Sequence, residues 1–158
     1  MRWLLIAFVA LCLAGGAFAW HFLSPPATPP FESKILQSIN ETCTGNTLCT
    51  LQMSTVTPFD WDKMYAFEMG IGASEMNQLL GTNDAEYCDL QRHLIFLKNG
   101  KIVFQECEPE GIEEATKNEM TFDIPETGKY KSYPHDVVFL VTQGTSKEGP
   151  WFNLKQIR

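Results

Sequence analysis

The sequence predicts a single α+β domain after an N-terminal apolar segment, built on a mostly antiparallel sheet of about six to seven strands with two short helices. Three observations support this prediction. An Asn99-Gly100 pair separates two apolar runs, which is the pattern of a tight β-hairpin. Several other short runs alternate apolar and polar residues between glycine and proline breaks, as strands do. Only two short segments space their apolar residues as a helix does.

The predicted hairpin is apolar on both faces. Residues 94–97 and 102–104 show no alternation, which indicates strands that are covered on both sides. Asn99-Gly100 fits a type I′ turn, because both central residues of that turn need positive φ. We therefore expect the hairpin to lie near the middle of the sheet.

Length and charge limit the possible classes of protein. The 158 residues have room for one domain. The formal net charge is −7, from 12 basic and 19 acidic residues. Nucleic acid and anionic membrane surfaces are poor partners for such a domain, because both bind clustered Lys and Arg.

Residues 1–23 are predicted to be a signal anchor or a signal peptide. Residues 3–23 are uncharged apart from His21, and this span of about 21 residues is long enough to cross the inner membrane with Arg2 on the cytoplasmic side. Residues 17–19 (Ala-Phe-Ala) also match a cleavage site after Ala19, which would release a secreted product. We favour the periplasmic, anchored form, because cleavage would leave an apolar terminus that begins at Trp20.

A proline-rich stretch follows the apolar segment. Residues 24–30 (Ser-Pro-Pro-Ala-Thr-Pro-Pro) predict a stiff, extended spacer that holds the domain away from the membrane. Residues 31–158 then form the exported domain.

Four cysteines lie in the domain, and an even number in an oxidising compartment predicts two disulfides. Four cysteines allow three pairings, of which we expect Cys43 with Cys49 and Cys88 with Cys107. An ideal two-residue turn places Cys107 opposite Arg92, so the second bridge requires a bulge or a bend after Cys88. No C-x-x-C pair occurs, which argues against a zinc site.

The elements before the hairpin are predicted from periodicity. A helix begins at the spacer and places Phe31, Ile35, Leu36 and Ile39 on one face. A strand with one buried face runs from Cys49 towards Met53. Residues 57–60 match a helix start, and a second strand follows with Trp61, Tyr65 and Phe67 pointing into the core beside Leu51 and Met53. A short helix over 75–80 is capped by Ser74 and ended by Gly81.

The elements after the hairpin are predicted in the same way. Residues 106–119 hold six glutamates and one lysine, which indicates a solvated connection. Alternation over 120–124 predicts a strand that Pro125 ends. A polar loop with two tyrosines reaches Asp136, and strands over 137–141 and 151–157 complete the chain.

No catalytic motif is complete in this sequence. Asp60 and Asp62 flank Trp61, and paired carboxylates beside an aromatic ring are found in glycoside hydrolases. We favour a structural interpretation, in which Asp60 is a helix-start carboxylate and Asp62 is a solvated strand residue. Two residues of spacing do not fix the distance between two carboxyl groups, which a glycoside hydrolase requires. His93 alternates with apolar residues and is expected to be a half-buried strand histidine. The sequence predicts no cofactor and no bound metal.

Four features follow one another along the chain: Phe59-x-Trp61-Asp62-x-x-Tyr65-x-Phe67, then Leu80-Gly81, then Arg92-x-x-x-Phe96, and an aromatic last strand at 151–154. In the order of these features the chain resembles small bacterial envelope proteins with no known activity. The helix, Leu-Gly step and hairpin are also similar to periplasmic modules of the β-lactamase-inhibitor and outer-membrane-assembly-lipoprotein type, which bind proteins. The resemblance implies a periplasmic protein, and the second likeness implies one that binds other proteins.

These observations predict a non-enzymatic periplasmic binding or inhibitory protein, such as an immunity protein that neutralises a toxin or a wall-active enzyme. The alternatives are an accessory subunit of an envelope assembly and a hydrolase that uses Asp60 and Asp62. The partner would be a protein with a basic surface, drawn by an acidic face of Glu106, Glu108, Glu110, Glu113 and Glu114. The same glutamates would also suit a segment that only keeps the protein soluble.

Overall fold

The structure is a computed structural model that describes residues 30–43, 49–109 and 114–158. Within these residues the chain forms three helices and eight strands, in the following order: α1 Pro30–Thr42, β1 Cys49–Gln52, α2 Met53–Val56, β2 Lys63–Phe67, α3 Ala73–Leu80, β3 Gln91–Lys98, β4 Lys101–Pro109, β5 Met120–Phe122, β6 Tyr130–Pro134, β7 Val138–Thr145 and β8 Pro150–Gln156.

The strands form two sheets of four. The first sheet has the order β1-β7-β8-β5 and the second has the order β4-β3-β2-β6. Neighbouring strands are antiparallel except for β5 and β8, which are parallel. The α+β prediction is confirmed. The structure adds one helix to the two that were predicted and divides the strands between two sheets.

The hairpin of β3 and β4 turns at Asn99 and Gly100, whose φ angles are 50° and 73°. This confirms the two-residue turn with positive φ at both central positions. The register shifts beyond the turn, since Leu97 pairs with Ile102 but Phe96 pairs with Phe104. β3 lies inside the sheet, whereas β4 is an edge strand, so the predicted central position applies to one strand of the hairpin only.

The second sheet is buried on both faces. On one face Met64 and Ala66 join a large core that also contains Trp61, α1 and the first sheet. On the other face Tyr65 and Phe67 pack with α3 in a smaller core. We expected Tyr65 and Phe67 to lie beside Leu51 and Met53, and that expectation was wrong. Successive residues of β2 point to opposite faces of the sheet, and only its even-numbered residues face the large core.

Three local predictions differ from the structure. The segment after β1 forms the short helix α2, whereas the predicted helix start at 57–60 forms none. Gly72, not Ser74, is the N-cap of α3, although Gly81 ends that helix with φ 69° as predicted. Part of the polar loop before Asp136 is the edge strand β6, in which Tyr133 alone is buried.

Both predicted disulfides are present. Cys43 and Cys49 have α-carbons 5.2 Å apart, and those of Cys88 and Cys107 are 6.2 Å apart. The extra residue in β4 places Cys107 opposite His93. Two disulfides are typical of an oxidising, extracellular-type compartment.

The predicted anchor over 3–23 and the spacer up to residue 29 lie outside the described residues. Among the helices that the structure describes, none has the length and apolar character needed to cross a membrane.

Candidate functional site

The acidic segment predicted to bind a partner is not one surface. Glu106 and Glu108 belong to β4 rather than to a solvated connection, and Glu108 is only 2% exposed. Glu114 is exposed and forms an ion pair with Lys147 at 2.6 Å. Glu110 and Glu113 lie outside the described residues. The interpretation of Glu106 and Glu108 as exposed partner-binding residues is corrected by their place in the sheet.

The two β4 glutamates belong to a group of charged side chains that we call the charge cluster, in which all members but the partly exposed Glu106 are buried. Arg92 of β3 pairs with Glu108 across the ladder, and its Nη2 lies 3.6 Å from Glu108 Oε2. Arg92 Nη1 also donates to the carbonyl oxygen of Met120. The charge cluster therefore joins the second sheet to α1 and to the start of β5, and its members are Glu32, Arg92, Glu106, Glu108 and Glu119.

The charge cluster contains more acid than one guanidinium can balance. Burial raises the pKa of Glu108 to about 8 and that of Glu32 to about 7, although Arg92 opposes both shifts. Burial also raises the pKa of Glu106. Carboxyls in this cluster thus exchange protons near neutral pH.

Two glutamates of the cluster also accept hydrogen bonds from neighbouring segments. Glu106 accepts hydrogen bonds from the backbone N–H groups of Phe31 and Glu32, at the first turn of α1. Because these N–H groups have no partner within the helix, the carboxylate acts as a cap supplied by another strand. Glu119 accepts hydrogen bonds from the backbone N–H and the hydroxyl of Thr116. The cluster therefore holds elements together and presents no acidic face.

The carboxylates that suggested a hydrolase close the hairpin. Lys98 Nζ lies 3.3 Å from Asp60 Oδ2 and 2.9 Å from Asp62 Oδ1. Asp62 also accepts the backbone N–H of Asn99, and these two contacts lower its pKa. His93 is fully buried rather than half-buried.

A small cavity of about 10 Å³ lies beside Arg92, His93 and Glu108, and its lining includes neither aspartate. It has room for about one water molecule. The structure therefore does not bring Asp60, Asp62 and His93 together around a cleft.

A rigid exposed loop is the feature that sequence reasoning missed. Residues 81–90, which we call the connecting loop, join α3 to β3. Tyr87 is 41% exposed and Leu90 is 65% exposed, and Leu90 adopts φ 54°. A leucine with positive φ and an exposed side chain is unusual, because such backbone strain is normally avoided and apolar side chains are usually buried.

Several contacts fix the connecting loop. The backbone N–H of Glu86 donates to Gln105 Oε1 at 3.0 Å, and Gln105 Nε2 donates back to the carbonyl oxygen of Glu86. The Cys88 N–H donates to His93 Nε2 at 3.0 Å, and the Tyr87 ring stacks on the His93 ring. The second disulfide ties the loop covalently to β4.

The connecting loop is also acidic. It contains Asp84, Glu86 and Asp89 and no basic residue. The sequence contained a signal for this loop. Its ten residues show neither helical nor strand periodicity, and a cysteine lies near their end.

No protein-family model, no curated protein and no solved structure matches the chain. We therefore infer its function from the geometry alone.

Proposed function

We propose that the chain is a non-enzymatic, exported binding protein that contacts a protein partner through the connecting loop. One observation carries the proposal: Leu90 projects a 65% exposed apolar side chain from a backbone position with φ 54°. Strained backbone is often kept at functional sites, and exposed apolar side chains often mark protein interfaces. Tyr87, in the same loop, adds a partly exposed aromatic ring, of the type that contributes most to binding energy.

The rigidity of the loop supports this function. Binding costs free energy when it orders flexible groups, and a preformed loop avoids that cost. The Gln105 side chain, His93 and the second disulfide hold the loop before any partner arrives. Inhibitory and immunity proteins act through such preformed surfaces.

The charge of the loop supports a basic partner. The connecting loop contains three carboxylates and no basic residue, and the whole chain has a net charge of −7. Opposite charges raise the association rate and are screened by salt, with a Debye length of about 8 Å at about 0.15 M. A periplasmic inhibitor of a cationic toxin or a wall-active enzyme, held at the inner membrane by residues 3–23, combines these properties.

Site-specific photocrosslinking tests the proposal. A photoreactive amino acid at position 90 is compared with one at position 157, because Ile157 is also exposed, at 55%, but lies at the other end of the chain. In the cell that makes the protein, we expect a discrete adduct from position 90 that position 157 does not give. The same adduct from both positions, or none from position 90, would reject the proposal.

The variant Leu90→Gly separates binding from folding. Glycine accepts φ 54° without strain, so the free energy of unfolding should change by less than about 1 kcal/mol. Once the crosslinked partner is identified, its association with the Leu90→Gly variant should be weaker by about tenfold or more, as expected for an interface anchor. Unchanged affinity would place the binding surface elsewhere.

A further inference from the structure

Three potential metal ligands meet where the connecting loop reaches the sheet. The sulfur atoms of Cys88 and Cys107 and a ring nitrogen of His93 all lie within 4.8 Å of one another. His93 and Cys107 are directly opposite each other in the β3–β4 ladder, and the turn before β3 brings Cys88 back to them. Among the described residues no other group of His, Cys, Asp or Glu gathers three ligand atoms this closely.

We propose that reduction of the Cys88–Cys107 disulfide creates a site for a soft divalent cation such as Zn²⁺, with Cys88, His93 and Cys107 as its ligands. The spacing of the cysteines gave no indication of this site, because one of the three ligands is a histidine from the neighbouring strand. The inference does not depend on the proposed binding function.

His93 is the observation that points to a ligand. Its side chain is buried, and Nδ1 has no hydrogen-bond partner among the described residues, whereas Nε2 accepts the Cys88 N–H. A buried ring nitrogen without a partner is costly. Histidine binds metals through a ring nitrogen of the neutral imidazole.

The site requires a defined redox step. A dithiol reductant transfers two electrons and two protons to the disulfide, so Cys88 and Cys107 become thiols and the reductant becomes a disulfide. Zn²⁺ then displaces the two thiol protons and binds the two thiolates and the neutral imidazole. The fourth position of a tetrahedral ion is left to solvent, because both cysteines are partly exposed.

The backbone is compatible with this change. Tetrahedral Zn²⁺ with Zn–S bonds of about 2.3 Å holds its two sulfurs about 3.8 Å apart. Side-chain rotation can provide that separation, since the α-carbons of Cys88 and Cys107 are 6.2 Å apart. The Cys88 N–H occupies His93 Nε2 while the disulfide is intact, and opening the disulfide frees the Cys88 segment, so a ring nitrogen can turn towards the metal.

Co²⁺ titration of the full-length chain tests the site. The Cys12→Ser/Cys43→Ser/Cys49→Ser variant, which keeps only the pair of interest, is reduced with a phosphine that does not itself act as a thiol ligand. We expect thiolate-to-Co²⁺ charge-transfer absorption in the reduced protein and none in the oxidised protein. Adding His93→Gln should weaken binding about tenfold or more, whereas adding His135→Gln, a histidine outside the site, should leave it unchanged.

X-ray absorption of the Zn²⁺-loaded, reduced parent variant is a second measurement that leaves His93 intact. We expect two sulfur ligands and one imidazole nitrogen around the metal. The absence of charge-transfer bands after reduction, an equal affinity in the His93→Gln variant, or a first shell without imidazole would each overturn the proposal.

Discussion

Arg92 Nη2 lies 3.6 Å from Glu108 Oε2, and both side chains are almost completely buried. Burial raises the pKa of Glu108 to about 8, because the opposing charge of Arg92 is weaker than this effect and the neighbouring Glu32, Glu106 and Glu119 add to the rise. Between the pKa of an unfolded glutamate, about 4.3, and this value, the folded protein binds more protons than the unfolded chain. The contribution of this carboxyl to folding stability is therefore complete below about pH 4 and is lost as the pH rises through 7 and 8.

The variant Glu108→Gln tests this dependence. One such carboxyl accounts for a loss on the order of 3 kcal/mol between pH 5 and pH 9. We expect the free energy of unfolding in urea to fall less steeply with pH in Glu108→Gln than in the natural chain. Glu114→Gln, on the exposed side chain, is the control and should follow the natural profile. Identical slopes for all three proteins would show that the cluster does not titrate in this range.

Trp61 should be essential for stability. Its ring is buried in the large core, it packs edge-on to Phe96, and its Nε1 donates to Thr57 Oγ1 at 2.8 Å. Trp61→Ala should lower the free energy of unfolding by about 3 to 5 kcal/mol, because it leaves a cavity and removes the hydrogen bond. Ile157→Ala, at a side chain that is 55% exposed just after β8, should change it by less than about 0.5 kcal/mol. Chemical denaturation of both variants checks the contrast, which equal losses would contradict.

Local chemistry made the turns and the disulfides predictable. Asn99, Gly100 and Gly81 occupy positions with positive φ, which glycine and asparagine adopt more easily than other residues. The short loop between Cys43 and Cys49 favoured the pairing of these two cysteines. The strand β6 was not predictable in this way, because it buries only Tyr133 and exists through pairing with β2. Edge strands of this kind depend on contacts distant in sequence rather than on their own pattern.

The charge cluster was missed for a different reason. Glutamates are rarely buried, so a run of them predicts a solvated segment. The signal was the period of two in β4, which places Glu106 and Glu108 on the same face as Phe104. Arg92 lies on the matching face of β3, and the one-residue shift in the ladder pairs it with Glu108. No pattern in the sequence predicts that shift.

The turn glycine offers a test of the hairpin. Gly100 has φ 73°, and an added β-carbon would meet no atom there, so only the backbone conformation resists a side chain. Gly100→Ala should therefore cost about 1 to 2 kcal/mol. Gly72→Ala is the comparison, because Gly72 is equally open but has φ −81°, so alanine there loses only the preference for glycine at an N-cap. Thermal unfolding should show a clear loss for the first variant and a small change for the second, and a reversed order would contradict the turn assignment.

Two glutamates from the same acidic stretch of sequence should behave in opposite ways. Glu106 caps the first turn of α1 through the N–H groups of Phe31 and Glu32, whereas Glu114 pairs with Lys147 in solvent. Glu106→Ala removes the cap and should lower the free energy of unfolding by about 1 to 2 kcal/mol. Glu114→Ala should change it by less than about 0.5 kcal/mol, since exposed ion pairs contribute little. Amide hydrogen exchange locates the effect: Glu106→Ala should accelerate exchange in the first turn of α1, and Glu114→Ala should not. Equal, small effects of both variants would return Glu106 to the solvated connection that the sequence predicted.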